Sequence, residues 1–399
     1  MGKKPRGRPA GWTAASAARA AREARVATAR FLAEADVARS WQAVRLLSSL
    51  EQHEAHLSSR AAAAVTLFGG LGYHPPYPAN LGDAAGLLVT DEARLLREAD
   101  LYIIAPEMCD VVLAAAATLT VPDLRLLTKE DLPSQTGAVM LPYPVLTRTI
   151  SGELSDLRAF AWRTPAAIAY PDPRRPRRIV DTPAVRISSF TDTYGPVQPE
   201  SFREVAARAR AARTPLPPWS FDGGRCFPLD FDFPEDAEEQ LRAYAATARR
   251  VGAELREEAR AVGVDDGEGV VGEYVPGSEI ADTDDTFVIR FLYAFWRLCE
   301  QRIATTGLAE INHSARVLAE RSETSPEVRV VLLRQLDREN SGGAAGGRDW
   351  QHRWVVRMHK VRQWYPSLGR HRVIYRGPYI KGPEDKPLIG GETVRGLIR

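Results

Sequence analysis

Residues 350–386 read WQHRWVVRMHKVRQWYPSLGRHRVIYRGPYIKGPEDK, and the rest of the chain is best read outward from them. Residues 350–365 are expected as one long strand whose alternation puts Trp354, Val356, Met358, Lys360, Arg362 and Trp364 on one face and Val355, Arg357, His359, Val361, Gln363 and Tyr365 on the other; Pro366-Ser-Leu-Gly369 supplies a turn, and 372–376 returns. Another strand is expected at 328–334, a Gly-rich hairpin loop at 341–347 and a last strand at 393–398. The fold class that follows is α+β. Its N-terminal and central regions are helical, and a small, mainly antiparallel β-sheet with one charged face lies at the C-terminus.

The same stretch carries the chemistry. No acidic residue lies between Asp349 and Glu384, an interval that holds Arg353, Arg357, Lys360, Arg362, Arg370, Arg372, Arg376 and Lys381. His352, His359 and His371 join them, and Trp354, Trp364, Tyr365, Tyr375 and Tyr379 are interleaved. A field of one sign attracts a polyanion, and aromatics among the charges offer faces on which bases stack. The pattern points to nucleic acid, with the cations above, Trp364 and Tyr365 as candidate contacts.

At the other end, residues 1–11, MGKKPRGRPAG, form a basic arm with nothing apolar to bury, expected to be disordered when free. Lys3-Lys4-Pro5-Arg6-Gly7-Arg8-Pro9 resembles an AT-hook, a short minor-groove peptide. Gly7 lets the backbone sit low, and Arg6 and Arg8 extend along the floor of a narrow A·T groove. A generic basic tail is the alternative.

Four further regions fill the space between. Residues 12–68 are Ala- and Arg-rich and helical, with Phe31, Val37, Trp41, Val44, Leu47 and Leu50 on one face, for the core, a protein partner or self-association over 13–68. Residues 69–235 read as an α+β domain with a Pro-rich segment. It holds a helix capped by Thr90, a strand at 101–104, a helix from Pro106, and strands near 137–141, 157–162, 177–180 and 184–189. Arg174-Arg175-Pro176-Arg177-Arg178 is either a second basic contact or a solvated turn. Residues 236–325 are an acidic helical region whose segment 287–303 is apolar on most sides and so is a buried helix, with a shorter helix at 312–320. Residues 326–399 form the basic, aromatic, β-rich domain.

The totals bound the function. The 399 residues are 44% hydrophobic and 26% charged with a net charge of +2, so nucleic-acid binding rests on local patches. Three scattered cysteines, Cys109, Cys226 and Cys299, point to a reducing compartment. The basic start has no apolar stretch behind it, and the run at 287–296 is too short to span a bilayer, so the expectation is cytoplasmic with no membrane partner. His53 and His56 lack further ligands, Gly69-Gly-Leu-Gly72 lacks the Lys-Ser/Thr of a phosphate loop, and Asp230 and Asp232 read as acids at a helix start. No metal and no cofactor is expected.

Several stretches also carry a likeness: Ala105-Pro-Glu-Met108, Asp131-Leu-Pro-Ser134, Arg158-Ala-Phe-Ala-Trp162 and Arg290-Phe-Leu-Tyr-Ala-Phe-Trp296. Near the end come Trp350-Gln-His-Arg-Trp354, Gln363-Trp-Tyr-Pro-Ser-Leu368, His371-Arg372 and the run from Pro378 to Pro387. Over about residues 90–399 the chain resembles a family of uncharacterised actinobacterial proteins associated with phages and mobile elements. The resemblance implies that setting and no particular activity.

Three functions follow. The first is a nonenzymatic DNA-associated protein, with RNA as the alternative ligand. The second is a metal-independent, toxin-like ribonuclease. Its acid and base would be His359 and His371, its electrostatic clamp Arg357 or Arg372, and its orienting hydroxyl Tyr375. The third is a protein-interaction or structural component.

Overall fold

The computed structural model describes residues 11–54, 71–73, 78, 80–148, 154–172, 175–195, 197–198, 200–231, 237–261, 286–301, 303–334, 351–356, 359–365, 370–376, 379–383 and 386–389. The first helix, α1 (Ala14–Glu34), opens with a capping box in which the Thr13 hydroxyl accepts the Ser16 N–H at 3.1 Å and Ser16 reaches back to the Thr13 N–H. Ala17, Ala18, Ala21, Ala24 and Ala29 are buried, so short side chains set this helix close to the sheet beneath it. Arg22 and Arg25 share the buried side and serve as caps. Arg22 donates to the Pro326 and Glu310 carbonyls, and Arg25 to those of Ala99 and Ser325. Helix α2 (Asp36–Glu54) follows after a break at Ala35. Helix α3 (Leu81–Glu98) is capped by Asn80, which accepts the Asp83 N–H at 2.9 Å. Thr90, expected as the cap, therefore lies mid-helix and turns its hydroxyl back to the Gly86 carbonyl.

The chain then enters the sheet. Strand β1 (Asp100–Ile104) leads into α4 (Pro106–Ala116), the short α5 (Val121–Leu124), a 3-10 turn (Lys129–Asp131) and β2 (Thr136–Arg148). Two long strands, β3 (Leu154–Asp172) and β4 (Arg175–Asp192), precede α6 (Glu200–Ala211), β5 (Trp219–Pro228) and α7 (Ala237–Ala261). Helix α8 (Phe287–Cys299), β6 (Ala304–Leu308), α9 (His313–Ser322) and β7 (Val328–Leu333) complete the body. Strands β8 (Arg353–Val356), β9 (His359–Tyr365), β10 (Arg370–Arg376), β11 (Tyr379–Lys381) and β12 (Leu388–Ile389) follow.

Seven strands form one mixed sheet in the order β5-β4-β3-β2-β1-β7-β6. Strand β1 runs parallel to β2 and β7, and the remaining pairs are antiparallel. Buried on both faces, β1 reads as the unbroken apolar run Leu101-Tyr-Ile-Ile104. Alternation then sorts the sheet by size. Ala138, Ala159 and Ala161 lie on the face toward α1 and α3, while Tyr102, Phe160 and Trp162 lie on the face toward α4 and α8. Helix α8 answers with Phe291, Phe295 and Trp296, and the Trp162 and Trp296 ring centroids are 5.6 Å apart. Gly137, opposite Trp162 in the neighbouring strand, has no Cβ because one there would overlap the indole. The apolar segment at 287–303 is thus the buried helix it was expected to be, ending at Cys299.

The expected fold class is overturned on its main point. The principal sheet is the mixed seven-stranded one built from residues 100–333, and the C-terminal segment contributes two small sheets, β9–β10 and β11-β8-β12. The strand at 328–334 belongs to the main sheet, beside β1. The single strand expected over 350–365 is divided between both small sheets. Prolines interrupt the long strands at places the ladder tolerates. Pro142, Pro144 and Pro165 fall within the register shifts of β2–β3 and β3–β4, and Pro171 borders another, where a missing N–H costs the ladder little. The strand at 393–398 and the loop at 341–347 lie outside the described residues, as does 1–10 of the basic arm.

Candidate functional site

The three-stranded C-terminal sheet has an inner and an outer face. Val355 and Ile380 are register partners, and both pack against the core cluster of α4 and α8. By alternation Trp354, Val356, Tyr379 and Lys381 take the opposite face, and Lys381 is exposed. Arg353 is engaged locally. Its Nε donates to the Lys386 carbonyl at 3.0 Å and its backbone N–H to the Pro387 carbonyl at 2.9 Å, strapping down the approach to β12.

The β9–β10 hairpin pairs only with itself among the described strands. Register assigns its residues to faces. Arg376 stands opposite His359, Ile374 opposite Val361, Arg372 opposite Gln363 and Arg370 opposite Tyr365. On the alternate positions Tyr375 stands opposite Lys360, Val373 opposite Arg362 and His371 opposite Trp364. Cations therefore occupy both faces: Arg370, Arg372 and Arg376 on one, Lys360 and Arg362 on the other. The expected single charged face is replaced by a two-sided ribbon. Trp364, 49% exposed, sits with the second set.

Register also separates the two histidines proposed as acid and base. His371 is the partner of Trp364, five positions along β9 from His359. An odd spacing puts the two on opposite faces, and five residues of strand span roughly 16 Å. Tyr375 shares the face of His371. Arg357, Lys3, Lys4, Arg6, Gly7 and Arg8 lie outside the described residues.

Sequence reasoning missed a polar cluster around the buried Asp156 at the carboxyl end of β1, the end where open α/β sheets place their ligand sites. The Tyr143 hydroxyl on β2 donates to Asp110 on α4, and burial foremost, then Cys109 and Asp110, pushes its pKa up. Arg158 on β3 donates from Nη1 to the Leu141 carbonyl at 2.7 Å, and its Nε lies 3.8 Å from Asp192 on β4. Burial holds the Arg158 pKa below its usual value. Gln198 donates to the Asp192 carbonyl at 2.8 Å and to Asp156 Oδ1 at 3.3 Å. Asp156 is wholly buried, its Oδ2 has no partner, and Gly195 leaves the space that this oxygen fills. Burial, and then the charge of Asp192, raise the Asp156 pKa to about 8, so the carboxyl is neutral at pH 7. The cluster ties the turn after β4 to β3. One sequence gives no signal for it, because an aspartate reads as a surface residue unless its burial is known.

A second buried network joins α3 to β4. Arg186 lies 2.5 Å from Glu92, and its Nη1 donates to the Tyr73 hydroxyl at 2.6 Å while also lying 3.3 Å from Asp91. Among the described residues no group of three or more His, Cys, Asp or Glu is placed to hold a metal ion, and no helix is long and apolar enough to cross a membrane. No family model, curated protein or solved structure matches the chain.

Proposed function

We propose that this chain binds nucleic acid, DNA in the first place, through the β9–β10 ribbon assisted by the basic arm of residues 1–11, as a nonenzymatic component in a phage or mobile-element setting. The observation that carries the reading is the placement of cations on both faces of a two-stranded ribbon. A ribbon lying on one flat anionic surface has use for cations on a single face. A ribbon lying between the two phosphate walls of a groove has use for them on both, and the B-form major groove is wide enough to admit one. Trp364 adds an aromatic surface half open to solvent. The ribonuclease reading has no comparable support, since register parts its acid from its base.

One observation favours a protein partner as a second reading. Val37, Val44 and Leu47 are exposed along α2, at spacings that make one stripe, whereas the alanine face of α1 is spent inside the chain. Light scattering on the purified protein reads self-association directly, and a monomer removes that use of the stripe.

The test is fluorescence anisotropy with labelled A·T-rich duplex, G·C-rich duplex and single-stranded RNA over a salt series, with RNA integrity checked in the same tubes. The R370A/R372A/R376A variant is expected to lose affinity, and its slope of log K against log salt to shrink by up to about 2.7, or about 0.9 for each phosphate no longer neutralised. Absence of binding, or a variant indistinguishable from the parent, overturns the reading.

A further inference from the structure

Strands β3 and β4 are far longer than the sheet that holds them needs. They run for 19 and 18 residues, against the five or six of an ordinary strand. The pairing of β2 along β3 ends at Thr136↔Arg163, and that of β5 along β4 ends at Ala184↔Pro228. Beyond those pairs, residues 166–172 of β3 are matched only by β4, and residues 175 and 179–183 of β4 only by β3, among the described strands. Seven residues of strand extend roughly 23 Å. The outcome is a two-stranded arm projecting past the edge of the main sheet.

Residues 174–178 carry a basic cluster whose sequence suits either a second basic contact or a solvated turn, and β4 begins within it at Arg175, Arg174 lying outside the described residues. Asp172 is matched with Arg175 and Pro171 with Ile179, so β4 carries Pro176, Arg177 and Arg178 as residues that β3 does not match. Two arginines therefore fall in a bulge at the far end of a projecting ribbon. Acidic residues on the arm are confined to Asp172, opposite Arg175, and Asp181, opposite Ala169. Prolines decide between two kinds of occupant. Pro171, Pro176 and Pro183 remove backbone donors along the arm, which suits it poorly to accept a further strand from a protein partner and leaves contact through charge intact.

We infer that this arm is a second nucleic-acid contact, which enters the major groove of B-form DNA and sets Arg177 and Arg178 against its phosphates. A groove about 12 Å wide admits a two-stranded ribbon, whereas the deep, narrow major groove of A-form RNA does not. The inference shares with the proposed function the premise that the ligand is nucleic acid, but it rests on different residues, and one experiment separates the two.

That experiment titrates the full-length protein, R177A/R178A, R177K/R178K and R370A/R372A/R376A with labelled DNA duplex and with double-stranded RNA of the same length. Removing two phosphate-binding charges is expected to lower the salt slope of R177A/R178A by about 1.8 and to weaken DNA binding on the order of 50-fold at ~0.1 M salt. The lysine variant is expected to retain most of the affinity. Thermal melts followed by the buried Trp162, Trp219 and Trp296 check that the body is intact. If R177A/R178A binds like the parent while the hairpin variant is impaired, the arm inference is wrong and the hairpin reading stands. The reverse pattern removes the hairpin reading and keeps the arm. Equal affinity for RNA duplex overturns the groove assignment, and a parent that binds neither duplex overturns both.

Discussion

Replacing Asp156 by Asn isolates the free energy of one buried proton. The Asp156 carboxyl is wholly enclosed, with Gln198 on one oxygen, no partner on the other, and the Asp192 charge close enough to act on it. Burial and the neighbouring Asp192 charge raise its pKa from 3.8 to about 8, against the opposing backbone N–H groups of Asp156 and Val197. Between those two values the unfolded chain has lost the proton and the folded chain still holds it. Unfolding in that window releases a proton, so a rising pH favours the unfolded state by about 1.4 kcal/mol per unit. The stability this group contributes is fully present below pH 3.8 and gone above about pH 8. From pH 5 to pH 8 the loss comes to about 4 kcal/mol, a large share of the 5–15 kcal/mol typical of a folded domain.

Asparagine has no proton to lose there. Its amide costs about 1–3 kcal/mol if its N–H groups find no acceptor, but that cost is the same at every pH. The assay is urea unfolding at pH 5, 6, 7 and 8, read by the emission of Trp162, Trp219 and Trp296, all of them buried. The parent is expected to lose stability relative to the variant by about 4 kcal/mol across the series. Cys226 and Cys299, which burial pushes up to about 12, titrate above the window and do not blur it. Parallel profiles for parent and variant would refute the reasoning, because they would mean that Asp156 is ionised in the folded protein at pH 5.

Two further substitutions probe the body. Glu92→Gln leaves the buried Arg186 without its closest anion and is expected to cost about 3–5 kcal/mol in urea unfolding, while E92L/R186M recovers part of the loss, as a double-mutant cycle would show. Gly137→Ala places a methyl where the Trp162 ring lies, and is expected to cost about 1–3 kcal/mol with a red-shifted emission as the indole is displaced.

How far the fold could be read beforehand varies by element, for physical reasons. Strand β1, α4, α8 and α9 were legible because local chemistry defines each: an unbroken apolar run, Pro at the first helical turn, an all-round apolar helix, and Asn312 accepting the Ala315 N–H. What local chemistry does not carry is partnership. Strand β7 was visible as a strand, but its place beside β1 depends on packing between segments far apart in sequence. Strand β5 was not expected, because Asp222-Gly-Gly-Arg225 has little strand propensity and the strand's burial comes from Trp219 and Phe221 on one side of the ladder's irregularity and Cys226 and Pro228 on the other. The hairpin β9–β10 was expected, but its two charged faces were hidden by a register in which β9 begins anew after β8.

Arginine content illustrates why placement outweighs count. Arg22 and Arg25 close carbonyls beneath α1, Arg158 lies beside the half-buried Asp192, Arg186 serves the buried Glu92, Arg297 holds Asp131 at 2.7 Å, and Arg353 fastens the loop before β12. Each is spent on a local acceptor, and none of that charge is free to meet a polyanion at full strength. With these removed from consideration, a net charge of +2 says little about binding. The Debye length of ~8 Å at physiological salt makes binding a local matter. Under the proposed nucleic-acid binding, a projecting ribbon would bring its cations within that distance of phosphate while the near-neutral body stayed outside it. The β9–β10 hairpin and the tip of the β3–β4 arm are the places where cations stand on two-stranded ribbons that pair with nothing else described. Salt sensitivity should therefore follow substitutions on the ribbons. It should not follow Arg22→Met or Arg25→Met, whose effect belongs to stability because their partners are the carbonyls under α1.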